Sequence, residues 1–196
     1  MNVAIIPAKG TSRRIPHKNI RDFRGKPIIA YSIEAAKACG LFQIVLVSTD
    51  DFDIAAIAAA YGVESLNRSP ELAIDNVGTQ EVMRHALEQM DTTHIQYACC
   101  IYPTAPLMSP DDLIVGFEWL QDSRESMYAM SVGAQPLRDA AQFYWGTTVA
   151  FLNAVPLILP TTLMIPIEER RVCDINTELD WSKAEQMYDL LHKEAL

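Results

Sequence analysis

No apolar run in this sequence approaches the ~20 residues that cross a bilayer, which excludes a membrane-spanning helix. Histidine is scarce, with four in 196 residues. His17, His85, His94 and His192 form no nucleophile or metal pattern, and His17 reads as an exposed loop residue near the basic stretch described below. The four cysteines, Cys39, Cys99, Cys100 and Cys173, also lack metal-ligand spacing. Three of them sit in apolar context, as buried free thiols do, and fit a reducing cytoplasm. Positive charge is in deficit: the formal net charge is −9, which argues against general attraction to nucleic acid or anionic membrane. Neither glycine arrangement of the common phosphate-binding loops is present, G-x-x-x-x-G-K-[ST] or G-x-G-x-x-G. A Walker-type ATPase and a dinucleotide-binding dehydrogenase therefore drop out. No charged leader precedes an apolar core at the start, so a signal peptide is not expected.

What is present looks like an ordinary globular chain, 49% apolar and 21% charged, of a length that suits one domain with a real core. No repeat, low-complexity segment or long linker divides it, so residues 1–196 are read as a single domain. Strand and helix alternate. Residues 2–7 (NVAIIP) form a short, continuously apolar run, as strands buried on both faces do. Pro27 opens a helix that Gly40 closes. Residues 43–48 give a second strand, and Ser48 to Asp51 cap a helix that Gly62 stops. A weak strand at 63–66 and a loop at 68–78 lead to a helix over about 78–91. "IQYACCIYP" reads as another buried strand. "SPDDLIVGFEWLQ" carries serine, proline and acidic residues where a helix begins. "MYAMSV" and "QFYWGTT" read as strands, and a last helix spans about 177–191. This pattern predicts an α/β fold, a three-layer α/β/α sandwich on a mostly parallel sheet.

In such sheets ligands sit beyond the carboxyl ends of the strands. Four polar segments fall there: the loop after the first strand, "STDD", "YPTAP" and "DINTELD". The first reads "IPAKGTSRRIPHKN", with Lys9, Arg13, Arg14 and Lys18 spaced by small residues. Cationic side chains and the N–H groups of Ala8, Gly10 and Ser12 can surround one anion there, and a triphosphate needs such a set. A solvated charged loop is the plainer alternative, but the position directly after a buried strand favours phosphate binding.

"IPAKGTSRRIPHKNI", "GKPIIAYSIEAA" and "VSTDD" together resemble the CMP-sugar-acid synthetases, cytidylyltransferases that activate nine-carbon acids such as sialic acid. "CCIYPTAP", "DAAQFYWG" and "DINTELDW" look most like the pseudaminic acid branch. The resemblance runs in order along nearly the whole chain. It implies a nucleotide-diphospho-sugar transferase-like fold and a reaction of CTP with a 2-keto sugar acid, assisted by Mg²⁺, to give a CMP-sugar and pyrophosphate. It places the triphosphate on Lys9, Arg13 and Lys18, and the cytosine on Asn19, Arg68 and Thr79. Each of the last three has a structural alternative: Asn19 closing a turn, Arg68 paired with Glu71, Thr79 capping a helix. Acceptor positions map to Tyr102, Arg138, Gln142 and Tyr144, with Phe143 and Trp145 preferred as core.

Two departures stand out. Relatives carry Asp-x-Asp as metal ligands where this chain has Asp174-Ile175-Asn176; the amide lacks the negative charge, and Asp180 reads as a capping partner. Relatives also carry some tens of residues, with sugar-binding cations and much of a homodimer contact, where only "GAQPLRDA" (near 132–141) stands here. The competing readings are the same reaction on another sugar acid, a nucleotide-binding homologue impaired in catalysis, and an α/β domain without nucleotide.

Overall fold

Val3, Ala4, Ile5 and Ile6 are all fully buried in a computed structural model of the chain, which describes residues 1–74, 77–135 and 137–193. They form β1 (Asn2–Pro7), and each neighbour of that strand explains its uniform hydrophobicity. The first half continues with short strands β2 (Asp22–Phe23) and β3 (Lys26–Pro27), α1 (Ile28–Ala38), β4 (Ile44–Thr49), α2 (Phe52–Ala60), β5 (Glu64–Asn67) and α3 (Thr79–Glu88). The second holds β6 (Tyr97–Ile101), α4 (Pro110–Asp122), β7 (Tyr128–Ala134), β8 (Leu137–Thr147), α5 (Thr148–Leu152), β9 (Leu163–Ile167) and α6 (Glu178–Lys193). Asp75 and Asn76 of the expected 68–78 loop, Pro136 of the 132–141 connection, and residues 194–196 lie outside the described residues.

The main sheet has seven strands in the order β5-β4-β1-β6-β8-β7-β9. β1 pairs in parallel with β4 and β6, as does β4 with β5 and β7 with β9. The predicted mostly parallel sandwich is thus the fold. Successive residues of β1 point to opposite faces. Ala4 and Ile6 pack with Ile33 of α1, Ile54 of α2 and Leu113 of α4. Val3 and Ile5 pack with Met83 and Leu87 of α3 and Phe151 of α5. Cys99 and Cys100 divide between the two faces in the same way. A third cluster, of Ile15, Phe23, Ile28, Ile175 and Trp181, fastens the basic loop and the 173–176 segment to α6.

Local signals set several ends. Asp51 accepts from the N–H groups of Asp53 and Ile54 at 2.8 and 3.0 Å, capping α2. Ser109 and Asp112 form a reciprocal cap on α4. Phe143 and Trp145 are core, both fully buried, and the Trp145 indole donates to the Leu113 carbonyl at 3.0 Å.

Three features differ from the sequence pattern. β8 runs antiparallel to both neighbours, forming a tight hairpin with β7 over the short 132–141 connection. The register then jumps from Met130–Tyr144 to Val132–Asp139. Ser131 fills that bulge, its hydroxyl accepting from the N–H groups of Gln142 and Phe143 at 3.3 and 3.1 Å. Finally, β9 carries Pro166, which hides it from pattern reading but is tolerated at a sheet edge.

Candidate active site

β1, β4 and β6 end at the same rim, and the polar segments that follow them meet there. Ala8, fully buried, donates its N–H to the Ser48 carbonyl at 2.9 Å. The N–H of Gly10 donates to Asp50 at 2.9 Å. These two bonds fasten the start of the basic loop to the end of β4. Its far end is fastened by Asn19, whose buried amide donates to the Lys9 carbonyl at 2.9 Å. Lys18 Nζ donates to the Ile175 carbonyl at 2.8 Å, and Arg14 to the Asn176 amide oxygen at 2.8 Å. The loop after β1 is therefore bound to a segment more than 150 residues away in sequence.

A cavity of about 570 Å³ opens at this rim. Its wall includes Lys9, Ser12, Arg13, Lys18, Asn19, Arg68, Thr79, Tyr102 and Asn176, so most sequence-predicted site residues converge. Gly10 lies on a neighbouring cavity that shares Ser12 and Arg13 with this one. Ala8, buried beneath the loop, is not on the wall either, and four further candidates do not reach it. Arg138 pairs with Glu169 across the hairpin. Gln142 is buried and donates to the Arg171 carbonyl at 2.7 Å. Tyr144 donates to Asp139 from behind Tyr102. Asp174 accepts from the Asn176 amide nitrogen.

The structural alternatives resolve differently. Arg68 bonds Ser48, its Nη2 donating to the carbonyl at 2.6 Å, and makes no pair with Glu71 among the bonds of the described residues. Gly78 is the N-cap of α3, its N–H donating to Glu81 at 2.9 Å. Thr79 is left as the first helical residue with its hydroxyl 2.9 Å from that of Tyr102. Asn19 does hold backbone, but at the cavity wall. Asp180 accepts from the Thr177 N–H at 2.8 Å, the capping role expected of it. Asn176, the metal position that departs from the relatives' aspartate, has its oxygen turned to Arg14 and its nitrogen to Asp174 in this arrangement. Ser48 and Thr104 also contribute, the first holding Arg68 and the second lining the cavity. Only the strand-end position of each could have signalled this.

Electrostatics follow from crowding. Burial pulls the Lys18 ammonium below its ordinary range; Asp174 opposes this, and Arg14 and Lys9 add to it. Burial likewise lowers Arg68, against the carboxylate of Asp50. Burial raises the Tyr102 phenol. The cavity thus concentrates positive charge within a body of net charge −9, a local field for a polyanion.

A sequence profile described as cytidylyltransferase matches residues 3–150. The chain is 32% identical to the pseudaminic acid cytidylyltransferase of Campylobacter jejuni over 229 residues, covering 99% of both. That span against a 196-residue chain leaves more than thirty positions without a counterpart here. It is also 35% identical to the N-acylneuraminate cytidylyltransferase of Escherichia coli over 66% of this chain and 30% of that protein. The fold matches a CMP:2-keto-3-deoxy-manno-octonic acid synthetase solved with CTP, at TM-score 0.78 and 14% identity, over 97% of this chain and 99% of that one. The chain belongs to the cytidylyltransferase family, a family of nucleotidyltransferase enzymes.

Proposed function

We propose that this protein transfers CMP from CTP to the anomeric hydroxyl of a nine-carbon keto sugar acid of pseudaminic or sialic type, releasing pyrophosphate. The observation that carries this reading is the cavity itself, where Lys9, Arg13 and Lys18 share one wall with Arg68, Thr79 and Tyr102. The three cations meet the triphosphate. Arg68, which can only donate, faces the O2 and N3 lone pairs of cytosine, with Asn19 and Thr79 completing the base contacts. The acceptor hydroxyl gives up its proton to water and its oxygen bonds to the α-phosphorus, while the bond from that phosphorus to the α–β bridging oxygen of CTP breaks and this oxygen leaves with pyrophosphate. The fixed positive side chains hold the charge that leaves with it, the main service a protein gives such chemistry.

Asp174 supplies one carboxylate, and Mg²⁺ is commonly held by one or two carboxylates together with substrate phosphates. Asp174 lies off the wall but close enough to Lys18 to oppose the effect of burial on its ammonium, and it would be the carboxylate of that mode, with Asn176 engaged by Arg14. Bound there, the cation would neutralise phosphate charge. On the acceptor side Tyr102 stands at the wall, and Arg138 is the cation of the adjoining hairpin that would exchange Glu169 for the acid's carboxylate. Gln142 and Tyr144 stand behind them. On this reading the positions absent relative to the Campylobacter jejuni protein fall at the β7–β8 hairpin, where relatives carry much of their homodimer contact.

The test is pyrophosphate release from CTP and Mg²⁺ with a panel of nine-carbon acids and the eight-carbon octonic acid. Release with a nine-carbon acid is expected; release only with the eight-carbon acid would move the assignment to that substrate. CTP binding without release would favour an impaired homologue, which the engagement of Asn176 makes the specific rival. Absence of CTP binding would remove both.

A further inference from the structure

Arg14 and Asn176 stand 162 positions apart in sequence and share the cavity wall. Burial of their neighbours brings them together. Ile15 follows Arg14, Ile175 precedes Asn176, and both isoleucines are fully buried in one cluster with Phe23 and Trp181. Asn176 is also pinned by its backbone, whose N–H donates to Asp180 at 3.1 Å. The side-chain partners then leave its amide one orientation. A guanidinium has donors and no acceptor, so the amide oxygen faces Arg14, at 2.8 Å, and the nitrogen is left to Asp174. Asn176 is a neutral link between a cation and a carboxyl group.

A carboxylate in that place would pair with Arg14 and neutralise it. The amide instead holds the guanidinium through a hydrogen bond and leaves its charge whole. A guanidinium carries five N–H donors, and among the bonds of the described residues Arg14 uses one. Its side chain is exposed at the cavity mouth, on the wall that also carries Lys9, Arg13 and Lys18. Arg68 and Thr79 take the base, which leaves this cation to phosphate. We propose that Arg14, aimed by Asn176, is a fourth cation on the triphosphate and meets part of its charge without a divalent metal. This rests on the reading of the cavity as a CTP site and adds a residue outside the Lys9, Arg13 and Lys18 set. Asn176 acts through Arg14 and is a positioning residue.

Calorimetric titration of CTP into the intact chain, at fixed ionic strength in EDTA and again with Mg²⁺, tests this. Wild type is expected to bind CTP in EDTA. Arg14→Gln weakens that binding about tenfold, the worth of one hydrogen bond to a charged group. Asn176→Ala leaves the guanidinium unheld and weakens it about threefold, a part of that loss. The double variant binds no more weakly than Arg14→Gln alone, because Asn176 has no effect once its arginine is gone. A structural role for Asn176 would instead make the two losses multiply, and that result overturns its positioning of Arg14. Arg84→Gln, on α3 and paired with Glu88, makes the same change of net charge and should leave the affinity unchanged. An equal loss there, or wild-type affinity in folded Arg14→Gln, overturns the proposal. Binding that needs Mg²⁺ altogether also overturns it and leaves the CTP site standing. A wild type that binds CTP under neither condition overturns both. Should Arg14→Gln fail to fold, as judged by thermal melting, Asn176→Ala carries the measurement.

Discussion

Lys18 shows how one residue can be costly to the empty protein and useful to the loaded one. Its ammonium is held below the ordinary value of 10.5, first by burial and in part by Arg14 and Lys9. Between the lowered value and 10.5 the unfolded chain binds the proton that the folded one has released. Stability of the nucleotide-free protein therefore rises with pH across that window. A bound triphosphate favours the charged form, so CTP affinity should fall over the same window, below the pH at which an exposed lysine would titrate. Titrations at stepped alkaline pH check this; an affinity flat up to 10.5 would contradict it. Asn176 is the second residue of consequence. Asn176→Asp adds a charged oxygen beside Asp174, and although Arg14 competes for it, the Mg²⁺ concentration for half-maximal activity should fall. An unchanged or higher requirement would argue against metal at that position.

At the scale of elements, the loop after β1 works because the turn after β4 lets it approach. A Cβ on Gly10 would lie 2.5 Å from Asp51 Oδ2 and 2.8 Å from Asp51 Cβ. Asp51 cannot yield without losing the cap of α2. Gly10→Ala should therefore cost about 1–3 kcal/mol and weaken CTP binding about tenfold as the loop shifts, both measurable by melting with and without nucleotide. The bulge in β8 holds the opposite case. Ala141 sits at φ 51, where a Cβ costs about 1–2 kcal/mol. Replacing it by glycine returns that, less about 0.4–1 kcal/mol of unfolded-chain entropy. Ala141→Gly should raise the melting temperature by about 1–3 °C; a fall would mean that the Asp139 bond to its N–H depends on the alanine.

For the whole molecule, burial separates reactive from inert chemistry. Cys39, Cys99 and Cys100 are buried, and burial raises all of their thiols, as it does for the part-buried Cys173. A thiol-selective reagent should find no fast-reacting cysteine in the native protein and four on denaturation. Rapid native labelling of Cys99 or Cys100 would show that the sheet opens.

Alternation of apolar runs and capped helices determined the parallel framework by itself, because β1, β4 and β6 are buried on both faces and their composition records it. The cationic loop was legible for the same reason: it follows the first such strand, and charge among small residues has few other uses there. Relations between distant residues emerge only on folding. The sequence pattern could not show that β8 runs antiparallel, that β9 accepts Pro166 at an edge, or that Ser48 rather than Glu71 receives Arg68. It equally could not show that the Asn176 amide is spoken for by Arg14 and Asp174. Strand order and the aim of a hydrogen bond depend on which surfaces meet after collapse, and local periodicity carries no record of the partner.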